Sequence, residues 1–444
     1  MAKQRLNTPK GTRDFLPLQA SRRNYLFDTI RSVFHTYGFA PIETPAMELT
    51  ETLMGKYGEE GDRLIFKIMP RGEKLKNAGS DIRSEEALRY DLTVPFARMV
   101  AQHRNELSFP FKRYQIQPVW RADRPQAGRY REFYQCDIDM IGSESLLNEV
   151  ELIQVINEVF SRLKLPEVTI KLNNRKILQG IADILGQSDN MMTITIALDK
   201  LDKVGREGVE KELREKGIPD EAIQKLETVF NLPQDGAEAL DALNDLFADS
   251  EMGQKGVEEL RFLIDYVQNL DLKGVQFDAT LARGLNYYTG AIFEVTHPDF
   301  NSSICGGGRY DNLTGIFDPK LVLSGVGVSF GADRIYDLLL KKELFPADLD
   351  STTDVLFVNF GEAEAAQCMK WATELRQAGI RTEIYPDSAK MRKQMKYAND
   401  KQVPYVVLVG EQEMENGLLT VKDMKAGTQD SVSVQDLIAR LQSK

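Results

Sequence analysis

Residues 119–142, VWRADRPQAGRYREFYQCDIDMIG, switch between apolar and polar side chains with a two-residue period. That period is the signature of a strand with two different faces. Extended back to Arg113, the first strand sets Arg113, Gln115, Gln117 and Arg121 on one face and Tyr114, Ile116 and Trp120 on the other. The return strand sets Gln135, Asp137 and Asp139 against Tyr134, Cys136, Ile138 and Met140. Arg124, Arg129 and Arg131 lie between the strands, and Gly128 permits the turn. A half-solvated antiparallel hairpin explains the alternation by itself. It predicts a mixture of Lys, Glu, Thr and Ser on the wet face, however, whereas five arginines stand between Arg113 and Arg131 with no lysine among them. That choice favours planar, bidentate recognition of phosphate or carboxylate.

The surrounding chain narrows the class of protein. At 444 residues it is long enough for two or three domains, and 42% hydrophobic with 28% charged residues is an ordinary globular composition. No apolar run approaches the roughly 20 residues that span a bilayer. The N-terminal stretch MAKQRLNTPKGTRDFLP lacks the apolar core of a secretory signal. Cys136, Cys305 and Cys368 are odd in number and far apart, which argues for a reducing compartment, and hence a cytoplasmic protein. Neither these cysteines nor His35, His103 and His297 have zinc-site spacing. A net charge of −11 opposes bulk coating of nucleic acid and confines any such contact to local basic patches.

Hydrophobic periodicity predicts a helix over 21–37, stopped at Gly38, then an extended segment limited by Pro41 and Pro45. Residues 87–91 read as a strand, a helix opens at Thr93–Pro95, and another runs over 146–163. From about Leu172 to Asn269 the texture becomes charged and helical, which marks an insertion. Strand character returns at 275–279, 291–296 and 325–330. After a linker near 345–353, the order βαβαββα describes a separate domain with a mixed sheet. The expected organisation is therefore 1–171 and 271–345 as one α+β domain, 172–270 as a helical insertion, and 351–444 as a C-terminal α/β domain.

Three further clusters accompany the hairpin. In LARGLNYYTGAIFEV (281–295), Arg283 and Gly284 precede Tyr287 and Tyr288. Paired tyrosines before a strand are often a core-edge anchor, but packing does not explain the arginine. In ICGGGRYDNL (304–313) three glycines allow a backbone to approach a ligand closely, and a plain loop is an equal reading. No GK[ST] follows, so this is not a Walker loop. In GVGVSFGADRIYDLLL (325–340) a strand turns at Gly331 into a helix with Arg334 in its first turn. The helix dipole gives a cation nothing there, so the placement makes sense where an anion also faces the helix end. With so few histidines, no Ser-His-Asp or Cys-His arrangement is available. Chemistry at phosphorus with an already ionised nucleophile needs cations and positioning instead, and Arg121, Arg129, Arg283 and Arg334 suit it.

These stretches resemble the class II aminoacyl-tRNA synthetases, and among them the histidyl-tRNA synthetases, over nearly the whole chain. GTRDFLP (11–17) is similar to that family's N-terminal signature, and the helix and extended segment ending at Pro45 resemble the dimer-forming motif 1. The arginine hairpin resembles motif 2 and GVGVSFGADRI motif 3, while LARGLNYY and GGGRYD resemble the two histidine-specific signatures. The resemblance implies an antiparallel-sheet catalytic domain, a C-terminal anticodon-binding domain, a homodimer, and the substrates L-histidine, ATP with Mg²⁺, and tRNA(His). It implies Arg121 at the ATP α-phosphate, Arg334 toward the γ-phosphate, Arg129 at a phosphate, and Asp123 at the adenine or the tRNA acceptor end. It implies Arg283 as the residue that stabilises the transition state. Asp91 and Thr93 would bind the α-ammonium of histidine, and Gln135, Asp139, Tyr287 and Tyr288 would line its pocket. Lys390, Arg392, Lys393 and Lys396 form the most basic stretch of the C-terminal domain, a candidate RNA contact whose bland alternative is a solvated face.

The chain departs from the common bacterial pattern at Asp123, Asp139 and LRYDLTVP (88–95), where glutamate versions are frequent, and at Asn286, where Asp is common. A rival expectation is a catalytically silent paralogue that senses histidine and regulates the histidine-biosynthetic ATP phosphoribosyltransferase. Such proteins typically lack the signature residues and the C-terminal domain, and this chain has both.

Overall fold

The computed structural model describes residues 6–73, 75, 84–126, 128–233, 236–282 and 287–443. The chain divides into two compact units, Met1–Asp14 with Tyr25–Leu344 and Phe15–Asn24 with Phe345–Lys444.

The first unit is organised on an eight-stranded sheet. Its order is Ala40–Pro41, Phe111–Trp120, Glu132–Ile141, Gly325–Gly331, Phe300–Tyr310, Ala291–His297, Thr169–Asn174 and Val275–Phe277. The two outermost pairings are parallel and all those between are antiparallel. The hairpin register opposes Arg113 to Asp139, Gln115 to Asp137 and Gln117 to Gln135, so the polar residues of the two strands share a face, as the alternation requires. The other face is closed by helices. Phe330 lies with its ring centre 5.8 Å from Phe34 of helix Pro17–Thr36 and 5.8 Å from Phe160 of helix Leu147–Arg162. Ile30, Val33, Ile153, Ile156 and Val159 complete that buried layer.

The glycine run turns out to be strand, not loop. Gly306, Gly307 and Gly308 lie inside Phe300–Tyr310, paired on one side with Glu294, Phe293 and Ile292 and on the other with Ser329, Val328 and Gly327. Three glycines in succession carry no strand propensity of their own. Pairing on both sides supplies what the local sequence lacks.

The helical insertion runs from Arg175–Ile184 to Glu251–Asn269 and buries Leu178, Leu198, Leu213, Leu226, Leu243, Phe247 and Leu263. Leu172 lies within the strand Thr169–Asn174 of the main sheet, so the helices begin three residues later than the expected boundary.

The second unit has a five-stranded sheet ordered Thr382–Ile384, Val355–Phe357, Tyr405–Leu408, Leu419–Asp423 and Gln429–Val432. Val355 and Phe357 enter one apolar cluster while Leu356 and Val358 enter another, so this interior strand is buried on both faces. Its order is βαβαβαββα. The short helix Glu411–Asn416 and the edge strand Gln429–Val432 add to the expected βαβαββα. Among the described residues no helix is long and apolar enough to cross a membrane.

Candidate active site

The polar face of the large sheet is where the expected site residues gather. At the base of the hairpin, Arg113 and Asp139 form an ion pair of 2.5 Å with side chains 0% and 4% exposed. The Arg113 guanidinium lies 4.3 Å from the centre of the Phe96 ring, and the Tyr310 hydroxyl donates to Asp139 at 2.5 Å. Burial pushes the Asp139 carboxyl up, and Arg113 and Tyr310 oppose that shift. Asp137, one pleat along the same face, is buried and its carboxyl is pushed up to about 7, chiefly by desolvation. Next to it, Gln135 donates to the Ser329 hydroxyl at 2.7 Å.

Glycines make the floor of this face. Gly306, Gly308 and Gly327 stand in register beside Asp137 and Asp139. A Cβ on Gly327 would collide with the Asp139 carboxylate, and one on Gly308 would come within 2.7 Å of the Ala291 carbonyl and 3.0 Å of the Tyr288 ring. A cavity opens here, lined by Thr93, Asp137, Asp139, Tyr288, Tyr310 and Ser329 together with the glycine backbone.

The wall opposite is set by the start of helix Thr93–Gln102. Asp91, two residues before that helix, accepts from the Val94 amide at 3.2 Å, and it also accepts from the Tyr57 hydroxyl at 2.9 Å and the Tyr287 hydroxyl at 3.3 Å. Burial raises its carboxyl, and those donors work against the rise. Thr93 hydrogen-bonds the Tyr287 hydroxyl, and the Tyr287 and Tyr288 rings meet edge-on at 5.0 Å.

Toward the loop end the arginines take over. Arg121 donates from Nε to the Tyr90 carbonyl at 3.1 Å, and its guanidinium lies 4.2 Å from the Tyr90 ring centre and 5.2 Å from that of Phe133. Aromatic faces hold such a planar cation without using up its fork of donors. Arg129 pairs with Asp123 at 2.7 Å. Arg334 donates to the Gly128 carbonyl at 3.1 Å and the Ser303 carbonyl at 2.6 Å, which ties the motif 3 helix to the hairpin turn. Arg13 of GTRDFLP pairs with Asp333 and covers the Tyr130 ring, and the Gly11 carbonyl accepts from the Arg131 amide at 2.8 Å. The N-terminal signature thereby braces the hairpin.

Of the expected pocket residues, Thr93, Asp139 and Tyr288 line the cavity, Gln135 bonds Ser329 of its lining, and Tyr287 bonds Thr93 and Asp91, while Arg121, Arg129, Asp123 and Arg334 lie on or against the hairpin and its turn. Arg283 and Asn286 fall outside the described residues. Lys390, Arg392, Lys393 and Lys396 are exposed on or beside helix Met391–Asp400 of the second unit. The sequence reading did not single out Arg113, Asp137, Tyr57 or Tyr310 as site residues. Arg113 and Asp137 were legible on the polar face, whereas Tyr57 carries no local signal.

An antiparallel sheet with an arginine-bearing hairpin, a strand-to-helix unit carrying Arg334, and an α/β domain as a second unit make up the architecture of a class II aminoacyl-tRNA synthetase. A sequence profile for histidyl-tRNA synthetase matches residues 11–335, and one for an anticodon binding domain matches residues 354–444. Histidine–tRNA ligase of Phocaeicola vulgatus is 57% identical over 445 residues, covering 97% of this chain and 98% of that one. That of Bacteroides fragilis is 57% identical over 447 residues, covering 98% of each. The crystal structure of histidyl-tRNA synthetase from Nostoc sp. PCC 7120 superposes with a TM-score of 0.85 at 33% identity, over 99% of this chain and 100% of that one. The chain belongs to the histidyl-tRNA synthetase family.

Proposed function

We propose that this chain is an ATP-dependent histidine–tRNA ligase whose active site is the polar face of the large sheet. The observation that supports the reading is the convergence of Thr93, Asp137, Asp139 and Tyr288 on one glycine-floored cavity, with Gln135 bonded to Ser329 of its lining and Arg121 toward the loop end of the same hairpin. The histidine carboxylate attacks the α-phosphorus of ATP in line. The bond to the bridging oxygen breaks, pyrophosphate leaves, and histidyl-adenylate remains. The 3′-hydroxyl of the terminal adenosine of tRNA(His) then attacks the carbonyl and AMP departs.

Arg121 holds the α-phosphate, supported by its packing against Tyr90 and Phe133. Arg129 and Arg334 take the outer phosphates, and Asp123 faces the adenine or the acceptor end. Arg283 steadies the charge that develops at phosphorus, a role resting on the LARGLNYY signature. Asp91 and Thr93 receive the α-ammonium, while Gln135, Asp139, Tyr287 and Tyr288 enclose the imidazole. A polar pocket of this kind rejects apolar amino acids, because they would leave its buried groups unpaired. Mg²⁺ enters with ATP and shares charge with the arginines. Among the described residues the one cluster of potential metal ligands is Glu167, His297 and Asp299, none of which lines this cavity.

The enzyme is a cytoplasmic homodimer. Met47, Leu49 and Met69, exposed on or beside the small sheet that follows Pro45, support an apolar interface, and the free, buried thiols suit a reducing compartment. The basic helix Met391–Asp400 contacts tRNA. Histidine-dependent ATP–pyrophosphate exchange, repeated with transfer to tRNA, tests the whole reading. Arg283→Ala is expected to abolish exchange and leave histidine binding intact. Undiminished exchange in that variant removes Arg283 from the mechanism.

A further inference from the structure

Tyr310 of the strand Phe300–Tyr310 faces the cavity, and the residue before it points to the opposite, helix-covered face. That residue, Arg309, is 5% exposed and reaches Glu149 of the helix Leu147–Arg162, which is 0% exposed. The two meet bidentately, Nε to Oε1 at 2.5 Å and Nη2 to Oε2 at 2.6 Å, and Nη2 also donates to the Ser145 carbonyl at 3.2 Å. A buried ion pair of this kind often adds nothing to stability over a well-packed apolar pair, so its presence asks for another reason.

The reason lies in what Arg309 touches next. Its Nη1 donates to the Ser324 hydroxyl, and Ser324 donates onward to Asp311 Oδ1 at 2.6 Å. Asp311 Oδ2 accepts from the Thr289 hydroxyl at 2.5 Å, while the Asp311 amide donates back to that hydroxyl at 3.2 Å. The Thr289 amide donates to the Arg309 carbonyl at 2.8 Å, and a Cβ on Gly290 would press on the Arg309 side chain at 3.0 Å. A guanidinium or an amide N–H can only donate and an ionised carboxylate can only accept, so each hydroxyl in this run has a single direction.

The run Glu149, Arg309, Ser324, Asp311, Thr289 ends directly after Tyr287 and Tyr288. Strand pairing cannot hold those tyrosines, because the ladders on the two sides of their strand stop at Ala291 and Ile292. Tyr288 lines the cavity, whereas none of the five residues of the run does.

Resting on the histidine-site reading above, we propose that Thr289 and Asp311 are positioning residues for the amino-acid pocket. The Glu149–Arg309 pair fixes Asp311 from the helix-covered face of the sheet. Asp311 then fixes Thr289, and with it the placing of the two tyrosines.

Thr289→Val keeps the shape of the side chain and removes its hydroxyl, whereas Thr289→Ser keeps the hydroxyl. In histidine-dependent pyrophosphate exchange with the full chain, Thr289→Val is expected to raise the KM for histidine about tenfold and leave the KM for ATP unchanged. Thr289→Ser should return the KM for histidine to near the native value. Ser324→Ala cuts the run between Arg309 and Asp311 and should raise the same KM about fivefold. Because both changes act along one run, the double variant should be no worse than Thr289→Val alone. A lowered melting temperature in Thr289→Val with both KM values native overturns the inference, and so do two effects that multiply in the double variant. Should Thr289→Val fail to fold, a raised KM for histidine in Ser324→Ala upholds the inference and a native one overturns it. Exchange that ignores histidine in the unaltered enzyme overturns the histidine-site reading instead.

Discussion

Two arginine–carboxylate pairs stand at opposite ends of one hairpin, and they do different work. Arg113–Asp139 at the base has side chains 0% and 4% exposed, sealed by Phe96 and Tyr310. Arg129–Asp123 near the turn has side chains 46% and 11% exposed, with Arg129 open to solvent. The same chemistry in a dry setting is a fixed strut, since neither partner can leave without stranding a buried charge. In a wet setting it is a weak, exchangeable contact that a phosphate can replace. The hairpin is rigid where it shapes the amino-acid pocket and yielding where nucleotide must enter.

The largest effect expected from this contrast is on stability at the base. Arg113→Met should cost about 3–5 kcal/mol, because Asp139 keeps its burial and loses its counter-charge. Adding Asp139→Leu should recover much of that loss, since an apolar pair of similar volume avoids the desolvation cost. Urea denaturation of both variants checks this, and a single-variant loss under about 1 kcal/mol would mean that water reaches the pair.

Asp137 offers the next largest effect, and its sign is opposite. Its folded pKa of about 7 lies above the ordinary 3.8. The contribution of its proton to stability is complete below about pH 4 and is lost as pH rises toward 7. Asp137→Asn should therefore match the native protein near pH 4 and exceed it at pH 8, by about 4 kcal/mol as an upper bound. Thermal unfolding across that range reads the difference directly. A variant that is less stable at pH 8 would show that the native carboxylate is well solvated. A gain in stability joined to a loss of histidine affinity would mark the residue as kept for function.

How far these roles could be read from sequence follows the same line between local and remote causes. The hairpin's faces were legible because a strand's period is set residue by residue, and the register then follows from counting outward from the turn. Arg113 was visible on the polar face. Its burial was not, because Phe96 and Tyr310 come from distant strands and helices. The glycine run misled for the same reason: its extended form depends on partners at 291–295 and 325–330. In the second unit, EQEMEN and QDSV are short and polar, so neither carries a period that could announce a helix or strand. The boundary at Leu172 slipped because TIKLNN runs straight into a helix capped by its own Asn174 side chain, with no loop between.

At the exposed end of the hairpin the contrast sharpens into a kinetic prediction. Arg129→Ala should shift stability by less than about 1 kcal/mol, since the pair is partly solvated. In pyrophosphate exchange it should raise the KM for ATP by about tenfold, the loss of one charge-assisted contact, and leave histidine affinity unchanged. An unchanged KM for ATP would place the nucleotide away from the loop end and leave Arg129 as a brace for Asp123 alone.

The smallest effect belongs to a pair with neither burial nor catalytic duty. Lys396 and Asp400 lie one turn apart on helix Met391–Asp400, 2.6 Å from each other, with side chains 74% and 56% exposed. An ion pair of this kind stabilises a helix by about 0.3–0.5 kcal/mol at most, so Lys396→Ala should leave the unfolding midpoint almost where it was. If the helix meets tRNA phosphate, the same change acts elsewhere. Binding to tRNA should weaken a few-fold at low salt, and the slope of log affinity against log salt should fall by roughly one for the contact removed. Filter binding at several salt concentrations measures that slope. An unchanged slope in Lys390→Ala, Arg392→Ala, Lys393→Ala and Lys396→Ala alike would return this helix to an ordinary solvated face. One altered slope among the four would locate where the RNA backbone crosses it.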